Sequence, residues 1–442
     1  MKLQIRHIGK IKEASFSLNG LTVITGLNNT GKSTVGKALC GFFNALKDID
    51  TACMDEIKSK IRRESEEAFR EVIHEQGLGD LNNGKKLGMP LLFRIRRMFW
   101  EDDLVQYDYE KMETYIQSIC EKEGIKETTL PADLIQAVQK SINHNKKIFY
   151  NNEMKERIKK EIINQVFHGL FHGQISSLLD QESGEIESYL NNKKYNILFQ
   201  NNDCIKYSME GMIQHRAIYI NDPFDIDNID NDLPHWIYNS RNLSERFIGN
   251  ISDVFDHIPP KTDLVQISLN KKNYEMIKEQ LNKVIRGEIS QKEDGLYVTD
   301  QSLREPMHVS NLSTGKKTFS IIKMLFEEGV LQENDVLVLD EPEIHLHPEW
   351  QVIYAEMIVI MQKLFDLTIV ITTHSPYFLY ALQIFSSRHD IMERTNYYFA
   401  FEGEDRYAYF EDVTDHLDKV YRIMYEPLQR LENLRAQENE KQ

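Results

Sequence analysis

The sequence predicts an α/β fold, a mixed sheet interrupted by a mainly helical insertion. Three observations lead there. Four short apolar runs, Leu21 to Thr25, Ala217 to Ile220, Val336 to Leu339 and Leu367 to Thr372, have the length and branching of strands buried on both faces. Around Leu3, Ile5 and Ile8, and again between 185 and 207, apolar residues instead alternate at strand period. From 49 to 183 the chain turns to charged, helix-favouring sequence, with Ile57, Ile61, Ala68 and Val72 on one helical face and Ile162, Val166, Leu170 and Phe171 on another.

At 442 residues there is room for two or three domains, or for one large domain with an insertion. The 53 basic residues against 69 acidic give a net charge of -16, which argues against nonspecific nucleic-acid binding by the whole surface and leaves only a local basic patch open. Cys40, Cys53, Cys120 and Cys204 lack metal-ligand spacing and read as packed, reduced thiols of a cytoplasmic protein. Met1 leads into a strand pattern, and no uncharged run approaches the roughly 18 residues of a membrane span. Neither a signal peptide nor a membrane partner is expected.

Taken in order, the strand at 21–25 runs directly into Gly26-Leu-Asn-Asn-Thr-Gly-Lys-Ser33, a match to the phosphate-loop pattern G-x-x-x-x-G-K-S, with a helix beginning near Lys32. Gly26 and Gly31 permit a tight turn, so that amides along the loop, through Asn28, Asn29, Thr30 and on to Thr34, converge on phosphate oxygens at a helix N-terminus. Lys32 is expected to reach the β- and γ-phosphates and the Ser33 hydroxyl to ligate Mg2+.

Within the insertion, Lys85-Lys86 and Phe93-Arg-Ile-Arg-Arg-Met-Phe-Trp100 form the densest mixture of basic and aromatic residues. It reads either as a nucleic-acid or partner-protein surface or, preferably, as an amphipathic helix with core aromatics and solvated arginines. His168 and His172 are spaced to share a helical face, but without a third ligand they read as surface histidines. A strand at 217–220 precedes an Asp-rich turn over 221–232; helices are expected over 233–255 and 274–285, and a hairpin over 288–309 turns near Glu293-Asp294-Gly295.

Ser310-Asn-Leu-Ser-Thr-Gly-Lys-Lys317 then opens a helix, and its Ser-x-Gly step either presents a hydroxyl and amides to an anion or is an ordinary N-cap. The strand at 336–339 ends in Asp340-Glu341, two carboxylates at the sheet edge where ligands of open α/β folds bind. Asp340 can support a hydrated magnesium ion and Glu341 can orient a water. Pro348 suits the first turn of a helix to about Leu364. The next strand ends at Thr373-His-Ser-Pro376, where His374 is open to two readings, a γ-phosphate sensor or a loop histidine capping the following helix. A hairpin over 397–410 and an amphipathic helix from Leu417 close the chain, with 435–442 read as a frayed polar tail.

This order of motifs resembles the ABC-type ATPases of the RecF, SMC and OLD branch. In the form Asp340-Glu-Pro-Glu-Ile-His-Leu-His-Pro348 it looks most like the OLD-like ATPases of bacterial anti-phage systems, although Leu312-Ser-Thr-Gly-Lys316 departs from the Leu-Ser-Gly-Gly-Gln signature of transporters. The resemblance implies an ATPase head assembled from 1–48, 184–230 and 286–412, with 49–183 and 231–285 as helical segments and 413–442 as a C-terminal helix and tail. It further implies ATP and Mg2+ as cofactors and two heads paired head to tail. ATP held by Lys32 and Ser33 of one head would be closed over by Ser313, Gly315 and Lys316 of the other. Asp340 would then support magnesium, Glu341 would act as general base, His374 would contact the γ-phosphate, and His345 and His347 would face the partner head. The family's glutamine loop has no evident counterpart here.

OLD proteins proper continue into a TOPRIM nuclease domain, for which the 68 residues after His374 are too few. The expectation is therefore a homodimeric or larger ATP switch that controls a separately encoded effector, a nuclease or toxin, in phage defence. The alternative is a RecF- or SMC-like ATPase that repairs or clamps DNA.

Overall fold

The computed structural model describes residues 1–75, isolated positions between 114 and 143, 151–228, 271–292, 295–300, 302–327 and 330–439. The basic and aromatic run at 85–100, the helix expected over 233–255 and the turn residues Glu293 and Asp294 lie outside them. Residues Met1–Lys47 and Lys160–Gln442 form one compact unit, and Asp48–Lys159 form a second.

Strands β1 (Lys2–Ile8), β2 (Ile11–Ser17) and β3 (Leu21–Gly26) precede helices α1 (Lys32–Leu46) and α2 (Ile49–Glu75). Helix α3 (Asn152–Phe171) leads into β4 (Gly184–Leu190), β5 (Lys193–Gln200), β6 (Asp203–Met209) and β7 (Ala217–Ile220). After α4 (Lys271–Val284) come β8 (Glu288–Lys292), β9 (Gly295–Thr299), β10 (Met307–His308) and α5 (Thr314–Glu327). The chain closes with β11 (Val336–Asp340), α6 (Pro348–Phe365), β12 (Thr368–Thr373), α7 (Pro376–Arg388), β13 (Thr395–Glu402), β14 (Ala408–Asp412) and α8 (Leu417–Asn439).

An eleven-stranded mixed sheet in the order β6-β5-β4-β1-β2-β14-β13-β3-β12-β11-β7 runs through the first unit. Strands β13, β3, β12, β11 and β7 are parallel to one another, so their carboxyl ends share one edge. Strands β1, β2, β4, β5 and β6 pair antiparallel as a wing. The parallel strands are apolar on both faces because both are covered. Leu337 and Leu339 join Ile369, Ile371, Ile218 and Ile220 in the core with α5, α6 and α7. Val338 and Tyr219 face the other way onto α1, where a Cβ on Gly36 would come within 2.8 Å of Val338 Cγ1. A glycine there lets helix and sheet approach closely.

Second-unit contacts are local: Lys159 Nζ pairs with Asp50 Oδ1 at 2.7 Å, and Cys53 and Ile57 of α2 are buried. In the first unit, Ile162, Ile163, Val166, Phe167 and Leu170 of α3 are buried, and Phe167 packs on Phe199 at 4.7 Å between ring centroids. The turn at Gly9 is tight enough for Ile8 to pair with Ile11, where the second strand begins. One expectation needs correction. The C-terminal tail is not frayed from 435; α8 continues to Asn439, its Leu428, Leu431 and Leu434 extending the apolar spacing along an exposed face.

Phe167→Ala is expected to destabilise the first unit by about 3–5 kcal/mol through the cavity it leaves. Urea unfolding followed by fluorescence would register it, and an unchanged midpoint would show that α3 does not depend on this packing.

Candidate functional site

The phosphate-loop sequence is a strand-to-helix turn. Strand β3 is buried throughout and α1 begins at Lys32. The turn needs left-handed backbone at Asn29 (φ 64) and Gly31 (φ 77), and Gly26 sits at φ 150 where a Cβ would lie 2.1 Å from the Ala400 carbonyl oxygen. That close approach explains glycine at 26. Asn28 and Asn29 are exposed, Ser33 and Thr34 are half-buried, and the Thr30 hydroxyl donates to the Leu27 carbonyl at 2.7 Å. Lys32 is 4% exposed, and its ammonium donates to the carbonyls of Leu27 (2.8 Å) and Gly26 (3.4 Å). Burial pulls its pKa down, opposed by the charges of Glu341, Asp340 and Glu343.

The parallel register explains that company. Asp340 is the last residue of β11, opposite Thr372 of β12, while β3 lies on the other side of β12. The Tyr219 hydroxyl donates to Asp340 Oδ2 at 2.7 Å, and the Thr372 hydroxyl donates to Asp340 Oδ1. Burial, then the Asp340 charge, pushes the Tyr219 phenol upward, so it stays a donor. Glu341 has φ 51, an unusual backbone for a glutamate, and its amide donates to the carbonyl and hydroxyl of Thr372. A non-glycine residue held there is stored strain of the kind that clusters at functional sites.

Its carboxylate Oε1 meets His374 Nε2 at 2.6 Å. Burial and the nearby Lys32 ammonium lower the His374 pKa below 6.5, against the raising influence of Glu341. The contact is a hydrogen bond from the ring Nε2–H to the carboxylate.

Ser313 is exposed, Lys316 half-buried and Gly315 buried. Ser313, Thr314 and Gly315 line an open surface depression with His345, His347 and Trp350, and none of the phosphate-loop residues enters it. A Cβ on Gly315 would lie 3.0 Å from the Trp350 ring and 3.1 Å from the His345 carbonyl, which explains the glycine. His347 caps α6, its Nδ1 accepting from the Glu349 amide at 3.4 Å. His168, by contrast, bonds the Asn202 carbonyl at 2.9 Å far along the chain from this site, and His172 has left the helix at φ 51.

Sequence reasoning missed four participants. Tyr219 was signalled only as the one polar side chain of its apolar strand, and Thr372 by its place opposite Asp340. Lys317, rather than its neighbour Lys316, is the buried lysine of the signature; it pairs with Asp227 and lies 4.7 Å over the Phe224 ring. Glu343, the second glutamate of Asp-Glu-Pro-Glu, is 3% exposed. Beside Asp340, β7 is followed by Asn221-Asp222, which share a cleft with Asp340 and Glu341; this edge position carries asparagine and aspartate rather than glutamine.

A phosphate loop, a buried lysine and an acidic strand end along one parallel edge define the protein as a P-loop ATPase of mixed α/β fold. The chain belongs to the family described as the AAA ATPase domain, which it matches over residues 1–379. No curated protein matches it. Among solved structures it is similar to an SMC head bound to the C-winged helix domain of ScpA, at 11% identity and a TM-score of 0.43, covering 93% of this chain and 96% of that one. It is similar also to the SMC head domain from Thermotoga maritima (9% identity, TM-score 0.35, 93% and 98% covered). A third is the Smc head domain with an extended coiled coil, bound to the C-terminal domain of ScpA, derived from Pyrococcus furiosus (10%, 0.33, 96% and 98%). Superpositions this loose leave the family match to define the class.

The His374 imidazole is expected to titrate below 6.5 by NMR of labelled histidine. Lys32→Met, removing a positive neighbour, should move the midpoint up, and Glu341→Gln should move it down; no response to either would separate the ring from both groups. For stability the sign is fixed. As pH falls through the ordinary histidine range, the unfolded chain takes up a proton that folded His374 resists, so this group contributes stability above that range and loses it on acidification.

Proposed function

We propose that the chain is an ABC-type ATP switch in which two heads pair head to tail over ATP. The observation that carries the reading is the split of the motifs. Lys32 keeps company with Asp340 and Glu341, whereas Ser313 and Gly315 open onto a separate depression. A signature turned away from its own phosphate loop is suited to close over the nucleotide of a second copy. In this reading Gly26, the loop amides from Asn28 to Thr34 and Lys32 bind the phosphates, Ser313, Gly315 and Lys316 contact them from the partner, Glu341 is the general base and His374 contacts the γ-phosphate.

Magnesium fits the donor set. Among the described residues no three acidic, histidine or cysteine side chains gather into a cage. Ser33 and Asp340 offer oxygen only, suited to a hard cation that keeps waters and takes its remaining ligands from phosphate. Bound there, it would offset charge on the phosphates. Because ATP between heads stabilises only the paired state, hydrolysis shifts the population between two states, and a separately encoded effector, a nuclease or toxin of phage defence, can read that shift. No helix among the described residues is long and apolar enough to cross a membrane.

Glu341→Gln is expected to lower kcat by about 10²–10⁴-fold while ATP-bound dimers accumulate in light scattering. Mixing Lys32→Ala with Gly315→Asp chains should restore part of the activity, since one composite site then holds both intact halves. Confirmed mixed dimers without recovery would refute the shared site.

A second reading, DNA clamping, is favoured by the basic and aromatic run from Lys85 to Trp100. It predicts duplex affinity that falls steeply with salt and is lost when Arg94, Arg96 and Arg97 become alanine. Salt-insensitive or absent binding would leave the effector switch alone.

A further inference from the structure

We infer that Glu343 is a positioning residue, whose buried carboxylate fixes the backbone carrying His374 and so holds that imidazole against Glu341. One oxygen receives three donors from consecutive residues. Glu343 Oε1 accepts from the Thr373 hydroxyl at 2.5 Å, the His374 amide at 2.9 Å and the Ser375 amide at 3.3 Å. A second set of bonds closes the circuit. The Ser375 hydroxyl donates to Gln351 Oε1 at 2.6 Å, and Gln351 Nε2 donates to the carbonyls of Leu346 (3.1 Å) and Glu343 (3.4 Å).

The turn that carries Glu341 and the loop that carries His374 are thus joined twice, through Glu343 and through Gln351. A carboxylate in so dry a place is unfavourable, and burial is the first cause that pushes its pKa up, so a packing role alone would be better filled by an apolar side chain. What glutamate supplies is an acceptor with reach. The contact it protects is short: at 2.6 Å, Glu341 Oε1 and His374 Nε2 would lose their hydrogen bond if the loop moved by about an ångström. Beyond its charge, the last of three carboxylates felt by Lys32, Glu343 reaches the site through His374, and its bonded Oε1 accepts from no phosphate-loop residue.

The inference rests on the proposed roles of Glu341 and His374, and its test has an arm that needs no turnover. Glu343→Gln keeps an acceptor oxygen in place; Glu343→Ala removes it. In hydrogen exchange on the full chain, the peptide covering 373–375 should lose about tenfold or more of its protection in Glu343→Ala and stay within about threefold of the parent in Glu343→Gln. In steady-state ATPase assays Glu343→Ala should lower kcat about tenfold or more with KM for ATP within about threefold, and Glu343→Gln should recover most of it.

In a His374→Ala background, adding Glu343→Ala should lower kcat by less than about twofold, because the residue it positions has gone. Equal losses in both backgrounds, unchanged protection in Glu343→Ala, or a glutamine variant as impaired as alanine would overturn the inference. Should Glu343→Ala fail to fold, Thr373→Val removes one donor at constant volume and must shift exchange and kcat in the same direction. If the parent itself did not hydrolyse ATP, the proposed function would fall, and the exchange arm would still decide whether Glu343 holds the loop.

Discussion

One electrostatic constraint governs the sheet edge: the ammonium of a lysine residue that is 4% exposed must be held among carboxylates and carbonyls. Charge taken out of water is stable only when paired and hydrogen-bonded. Lys32 therefore leans on the Gly26 and Leu27 carbonyls while Glu341, Asp340 and Glu343 supply opposite charge. The parallel register makes this possible by ending β3, β11 and β12 together, so groups more than 300 residues apart in sequence become neighbours. The same ammonium depresses His374, the group that hydrogen-bonds Glu341. One lysine at the start of α1 thus sits beside carboxylates at the end of β11 and acts on an imidazole just beyond β12.

The central fold was legible because parallel strands buried on both faces must be apolar throughout, and the runs at Leu21, Ala217, Val336 and Leu367 have no other simple reading. The phosphate loop was legible because its spacing is a backbone requirement: Gly26 stands where a Cβ would strike the Ala400 carbonyl, whatever else surrounds it. What escaped were roles created by tertiary contact. Lys316 and Lys317 are indistinguishable in sequence, yet only Lys317 is buried against Asp227 and Phe224. Tyr219 and Thr372 look like ordinary strand residues until the register sets them against Asp340. The tail after 434 looked too polar to order, because a single exposed leucine stripe is a weak signal beside its charges.

The acidic stretch itself resolves into two halves with different surroundings. Asp340 and Glu341 sit at the strand end, one bonded by Tyr219 and Thr372 and the other by His374. His345 and His347 are exposed on the rim of the depression that Ser313 and Gly315 share. Glu343 and Leu346 lie between, buried. The alternation of outward and inward residues in so short a turn is what lets one segment serve an internal site and an external surface.

That short separation has a mechanical consequence. Glu341 and His345 are four residues apart, which limits their Cα separation to about 13 Å even if the segment were fully extended. Glu341 is already strained at φ 51, and Glu343 is bound to the loop beyond β12, so the turn has little slack with which to absorb a push on its exposed end. A body docking onto His345 and His347 must therefore either leave the turn where it is or move Glu341 and His374 with it. Packed, hydrogen-bonded elements switch between discrete arrangements instead of deforming smoothly. In the proposed switch, pairing of heads and the geometry of hydrolysis would be two ends of the same piece.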